Sequence, residues 1–148
     1  MSSQEVPQVG PNTSSPARSD DAIVLTGADL TIAGVEAVAR GGAIASLDGD
    51  ARARMQEARE VIETLVAEGA VVYGVTTGFG DLATVSIPSA DAARLQENLL
   101  MSHAAGVGPA FPREIVRAML LLRANTLALG HSGCRPLLVD RLLEFLRL

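Results

Sequence analysis

The sequence predicts a mostly α-helical domain, with a short strand or two near its N-terminus and ahead of a glycine-rich loop. Two observations predict it. Several stretches carry apolar residues at the i, i+3, i+4 spacing of a helix face. The stretches are also punctuated as helices are, with an acidic or proline residue near the start and glycine past the end.

In chain order, Met1 to about Asp20 is rich in Ser, Pro, Asn and Gln with few large apolar residues. Such a stretch buries too little surface to offset its ordering entropy, so residues 1–20 read as a disordered tail and residues 21–148 as the folded part. Ile23-Val24-Leu25 is a short apolar run ended by Thr26-Gly27, an edge strand. Leu30, Val35 and Val38 mark a short helix closed by Gly41-Gly42. From about Asp50 to Glu68, Met55, Ala58, Ile62, Leu65 and Val66 fall on one helix face, with Arg52, Gln56, Arg59, Glu60 and Glu63 on the other. Asp48 or Asp50 can cap that helix, and Gly69 can stop it. Ala70 to Tyr73 reads as a short buried strand, and the segment from Tyr73 to Ser89 as irregular. Such long irregular segments are usually functional lids or disordered.

Helix resumes around Asp91, where Leu95, Leu99 and His103 recur at i, i+4 and i+8. Gly106-Val107-Gly108-Pro109 breaks the chain, and Pro112 with Glu114 opens the next helix in favoured first-turn positions. From Ile115 to Leu129 consecutive leucines reach every face, which predicts burial all round. Gly130-His131-Ser132-Gly133 is a turn, and Pro136 starts a last helix whose polar residues share one side.

Composition narrows the function classes. Hydrophobic residues make up 48% of the chain but aromatics only 3%, so the core is built from Ala, Val, Leu and Ile. A net charge of -5 with mixed signs offers no basic patch for nucleic acid. No apolar run reaches the length of a membrane span, and the N-terminus lacks the apolar region of a secretory signal. The single cysteine, Cys134, excludes an internal disulfide and points to a reducing, cytoplasmic setting. With two histidines and one cysteine, a closed zinc site is not expected, nor any other metal. Cys134 reads as a small residue beside the turn, or else as a nucleophile.

The run Val72-Tyr73-Gly74-Val75-Thr76-Thr77-Gly78-Phe79-Gly80 holds the only tyrosine of the chain. Glycines at 74, 78 and 80 mark a shaped loop that could present Tyr73 to a site built by other elements. The residue types alone also allow an ordinary connection between strand and helix. A phosphate cradle fails on spacing, since no Gly-Lys-Ser/Thr follows. For His103 the open alternatives are a functional residue and a core-edge histidine satisfied by a backbone carbonyl.

Tyr73 to Gly80 resembles the tyrosine loop of the aromatic amino-acid ammonia-lyases and aminomutases. Gln96 to Gly108 and Arg123 to Gly133 resemble that family's next two signatures, in order, and Leu30 to Gly42 with the helix after Asp50 is similar to its N-terminal region. The likeness covers about residues 29–146. It implies the N-terminal helical segment of a fumarase/aspartase-like, all-helical enzyme that assembles as a homotetramer.

The resemblance also implies chemistry. Removing ammonia from an α-amino acid with loss of a β-proton needs a base at the β-carbon and an electrophile that activates the amine. The resemblance assigns the base to Tyr73, the lining of the substrate site to Gly80, and contact with the substrate's ring to Ser102 and His103. Its electrophile is a methylideneimidazolone formed from an internal Ala-Ser-Gly, and no Ala-Ser-Gly occurs in these 148 residues. The resemblance therefore implies a segment cut before that motif and inactive alone. The Ser102-His103 pair is similar to that of histidine ammonia-lyases, whereas Thr76 departs from their usual Asn. Tyrosine or phenylalanine ammonia-lyases and tyrosine aminomutases are the alternative, as is a non-catalytic helical interaction module.

Overall fold

The computed structural model describes residues 22–78, 80, 87–88 and 91–148. The expected tail over residues 1–20 and most of the segment from Asp81 to Ser89 lie outside the described residues. What is described is mostly helical. β1 (Ile23–Leu25) leads through α1 (Ile32–Ala39) to β2 (Ala45–Leu47), and α2 (Gly49–Ala67), α3 (Ala92–His103), α4 (Arg113–Ala128) and α5 (Pro136–Arg147) follow.

β1 and β2 pair in parallel, with Ile23 opposite Ala45 and Leu25 opposite Leu47. Parallel neighbours need a long crossover, and α1 supplies it. Thr31 caps α1, its hydroxyl accepting the Gly34 N–H at 3.1 Å. β1 is where the sequence places it. The second strand is not: Ala70 to Tyr73 forms none, and Ala45-Ser46-Leu47 does. The reason lies in the backbone of Val72, whose carbonyl accepts the N–H groups of Val75 and Thr76 and whose own N–H goes to a threonine hydroxyl. A peptide spent on a local turn has no donors or acceptors left for a ladder.

α2 matches its expected boundaries to within a residue. Asp48 caps it, one carboxylate oxygen accepting from Asp50 N–H and Ala51 N–H, and Gly69 ends it at φ +69°. Ala51 and Met55, in its N-terminal half, are buried. Arg52 forks onto Asp140 of α5 at 2.5 and 3.1 Å. That hydrogen bond raises the guanidinium pKa above its ordinary value, so the group stays charged at any pH where the protein is handled.

The core gathers Leu25, Val38, Met55, Leu121, Leu127 and Val139 from five different elements, all effectively out of solvent. α4 is its centre and packs on α1, α2, α5 and β1. Its Arg117 runs between two helix ends, donating to the Val38 carbonyl of α1 and to the Leu146 carbonyl of α5. Such carbonyls have no partner within their own helix, and a cation there also offsets the negative end of the helix dipole.

The expectation that α4 is buried on every face is not met. Leu121, Ala124, Leu127 and Ala128 are buried, while Ile115, Val116, Met119 and Leu122 stay 41–56% exposed. One face of α4 is turned inward, and no described element covers the other. α5 behaves likewise, with Val139, Leu143 and Leu146 inside and Leu137, Leu138 and Phe145 out.

Candidate functional site

The third signature, Arg123 to Gly133, packs the fold together. The Asn125 amide holds the turn at Gly27 from both sides. Gly130 sits at φ +79°, where a Cβ would come within 3.1 Å of the Arg54 backbone. Gly133 sits at φ +60°, and a Cβ there would meet Ile62 Cγ1 at 2.4 Å. Both glycines thus let the chain pass close against α2 at Arg54 and Ile62. Cys134 beside them is half-buried.

The segment after α2 holds the tyrosine loop. Gly74 takes φ +74° and Gly80 takes φ +58°, the left-handed region that favours glycine. Among the described residues nothing lies within 4 Å of a Cβ placed on Gly80, so what calls for glycine there is its backbone conformation. Two successive hydroxyls line the inside of the turn. Thr76 Oγ1 accepts from Val72 N–H at 2.8 Å and donates to the Ala70 carbonyl at 2.7 Å. Thr77 Oγ1 accepts from Gly74 N–H at 3.2 Å and donates to the Gly78 carbonyl at 3.0 Å. Thr77 is 1% exposed and Tyr73 is 64% exposed, so the anchor faces in and the phenol faces out. The residue types alone mark these threonines as part of the loop; the direction of their hydrogen bonds is visible only in three dimensions.

Ser102 and His103 come from the last turn of α3, a helix whose Leu95 and Leu99 are half-buried and whose Leu100 and Met101 are 71–72% exposed. The two side chains touch each other and one carbonyl. Ser102 Oγ lies 2.9 Å from His103 Nδ1 and 2.9 Å from the Leu99 oxygen, and Nδ1 lies 3.0 Å from that same oxygen. The carbonyl only accepts, and the hydroxyl has one proton to give. With the imidazole proton on Nδ1 all three contacts are donor to acceptor. With it on Nε2, the Nδ1–Leu99 contact would set two lone pairs facing each other. The geometry therefore selects the Nδ1–H form and leaves Nε2 as an outward acceptor. Of the two open readings, the backbone-satisfied histidine describes Nδ1, but His103 is exposed and not at a core edge.

The four residues thus fall in two places. Tyr73 and Gly80 stand on the loop, and Ser102 with His103 stands at the far end of α3. The loop meets α3 across a cleft of about 510 Å³ lined by Arg59, Ile62, Val66, Val75, Thr76 and Leu95, among others. Leu95 is two turns before His103, about 12 Å along the helix at 1.5 Å per residue. The cleft and the Ser102–His103 pair therefore mark opposite ends of one helix. Among the described residues no group of three His, Cys, Asp or Glu could hold a metal ion, and no helix is long and apolar enough to cross a membrane.

Comparison with known proteins places this arrangement. A family profile described as aromatic amino acid lyase matches residues 30–148. A protein of Treponema denticola named histidine ammonia-lyase is 46% identical over 124 residues, which are 84% of this chain and 24% of that protein. A crystal structure of an ergothioneine-degrading ergothionase, also from Treponema denticola, superposes with a TM-score of 0.82 at 37% identity, over 86% of this chain and 26% of that one. Tyrosine aminomutase from Streptomyces globisporus superposes with a TM-score of 0.81 at 36% identity, over 86% of this chain and 24% of that one. The chain spans about a quarter of the length of the curated relatives it matches.

Proposed function

The chain belongs to the aromatic amino acid lyase family, and from that premise we propose that it is the N-terminal segment of an ammonia-lyase acting on histidine. The reaction would be the non-oxidative elimination of ammonia to an α,β-unsaturated acid. Within it, Tyr73 would take the β-proton on its phenol oxygen, Gly80 would line the substrate site, and Ser102 with His103 would meet the substrate's ring. The complete enzyme would be a cytoplasmic homotetramer. The observation that carries the reading is the 46% identity over 124 residues to a histidine ammonia-lyase. The acceptor at His103 Nε2 supports it, because an imidazole brings an N–H to meet it. The 35–37% identity to tyrosine aminomutase and ergothionase structures keeps neighbouring substrates of the same chemistry as the second reading.

No Ala-Ser-Gly occurs in the chain, so the methylideneimidazolone that would activate the amine is not formed from these residues. What these residues would supply is the proton acceptor and part of the pocket. The experiment compares the 148-residue chain with a longer protein carrying the same segment followed by an Ala-Ser-Gly. Ultraviolet absorbance of the unsaturated product should rise with histidine for the longer protein and stay flat for the chain alone. In the longer protein Tyr73→Phe should lower turnover at least about 100-fold. Product from the chain alone, or full turnover by Tyr73→Phe, would overturn the proposal.

A further inference from the structure

We propose that Thr76 and Thr77 are positioning residues for Tyr73: the Thr77 hydroxyl holds the peptide plane after it, the Thr76 hydroxyl holds the chain one peptide ahead of the plane before it, and together they set the direction of the phenol. The direction of a side chain leaving the backbone follows from the φ and ψ of its residue, and these are set by the two flanking peptide planes. Before Tyr73, the Val72 carbonyl accepts the N–H groups of Val75 and Thr76 at 3.1 and 3.0 Å. After it, Gly74 N–H donates to Thr77 Oγ1 at 3.2 Å. Thr76 adds a second hold one peptide earlier, through Val72 N–H and the Ala70 carbonyl.

Threonine hydroxyls in loops commonly bond a backbone group of their own turn as a local device. Here the Thr76 hydroxyl reaches back past Tyr73 to Val72 and Ala70 and the Thr77 hydroxyl reaches back to Gly74, each both accepts and donates, and the two are consecutive. The hold is also tied outward. The Thr76 carbonyl also accepts Ile87 N–H at 3.0 Å. Thr77 is buried, so its hydroxyl is held to these two backbone partners and not to water. The catalytic meaning of this rests on the reading of Tyr73 as the base; the geometry itself does not.

The chain reports on the point directly, because Tyr73 is its only tyrosine and it has no tryptophan. Fluorescence anisotropy decay of the intact chain therefore follows one phenol. Thr77→Val and Thr76→Val keep the shape and remove the hydroxyl, and Thr77→Ser and Thr76→Ser keep the hydroxyl. The valine variants should show faster local motion of Tyr73, and exchange of the Gly74 amide (Thr77→Val) or the Val72 amide (Thr76→Val) should rise at least about 10-fold. The serine variants should restore both. If Thr77→Val loses its helical circular dichroism, the half-buried Thr76 pair decides by the same readouts. Unchanged anisotropy and exchange in a folded valine variant, or serine variants no better than valine, would overturn the proposal. Those outcomes leave the role of Tyr73 untouched, whereas a fully active Tyr73→Phe enzyme would remove that role and leave the clamp standing.

Discussion

Asn125 and Gly27 hold each other across 98 positions of sequence: Gly27 N–H donates to Asn125 Oδ1 at 3.1 Å, and Asn125 Nδ2 donates to the Gly27 carbonyl at 3.2 Å. One amide thereby satisfies both backbone groups of a residue at φ +96°, in a turn whose carbonyl at Thr26 is also held, by Arg54. Asn125→Ala leaves a partly buried donor and acceptor unpaired, which should cost about 1–3 kcal/mol. Urea denaturation of the chain and its variant measures this, and a midpoint unchanged within error would mean that water replaces the amide.

A second contact separates space from backbone conformation. A methyl at Gly133 would meet Ile62 Cγ1 at 2.4 Å while the residue sits at φ +60°. Gly133→Ala should therefore destabilise through both effects, and Ile62→Ala should recover only the steric part. A double-mutant cycle is expected to give a favourable coupling of about 0.5–3 kcal/mol. Strict additivity would show that the clash is absorbed elsewhere.

For His103, nitrogen NMR of the chain at about pH 8.5, above the ordinary histidine range, should find the proton on Nδ1. His131, exposed and in the turn after α4, provides the comparison within the same spectrum. Ser102→Ala should leave Nδ1–H dominant, because the Leu99 carbonyl remains. A proton on Nε2 in both proteins would remove the acceptor assigned to that position.

The uncovered face of α4 predicts how the isolated chain behaves. Ile115, Val116, Met119 and Leu122 form a continuous apolar stripe, and covering four such side chains is worth about 1.5–3 kcal/mol each. The chain should self-associate, so that light scattering rises with concentration. Met119→Lys with Leu122→Glu should reduce it without lowering helix content. A wild-type chain that stays monomeric at high concentration would contradict this.

How much of this was legible beforehand varies with how local the cause is. The limits of α2 follow from Asp48 and Gly69, which lie in the same stretch of sequence, and they were found to within a residue. β2 was missed because Ala45-Ser46-Leu47 has little intrinsic preference for strand and is extended only by pairing with β1 across α1. The strand expected over Ala70 to Tyr73 failed for the opposite reason, since the hydroxyl of Thr76 competes for its backbone. α4 was expected to be buried all round because composition shows which faces are apolar, not which have a neighbour. Tyr73, Gly80, Ser102 and His103 were picked out by likeness of motif. What the motif does not show is how Thr76 and Thr77 hold the loop around Tyr73, or that Ser102 and His103 share the Leu99 carbonyl.

The bond between Gly27 and Asn125 also fixes an order of events during synthesis. β1 and α1 are synthesised before α4, yet their cover is α4, and the residue that closes the turn after β1 follows 98 positions later. At about 5–20 residues per second, that interval lasts roughly 5–20 s. Throughout it β1 can pair with β2, but neither β1 nor α1 has the cover of α4, so a segment made earlier completes its packing only after a later one has emerged.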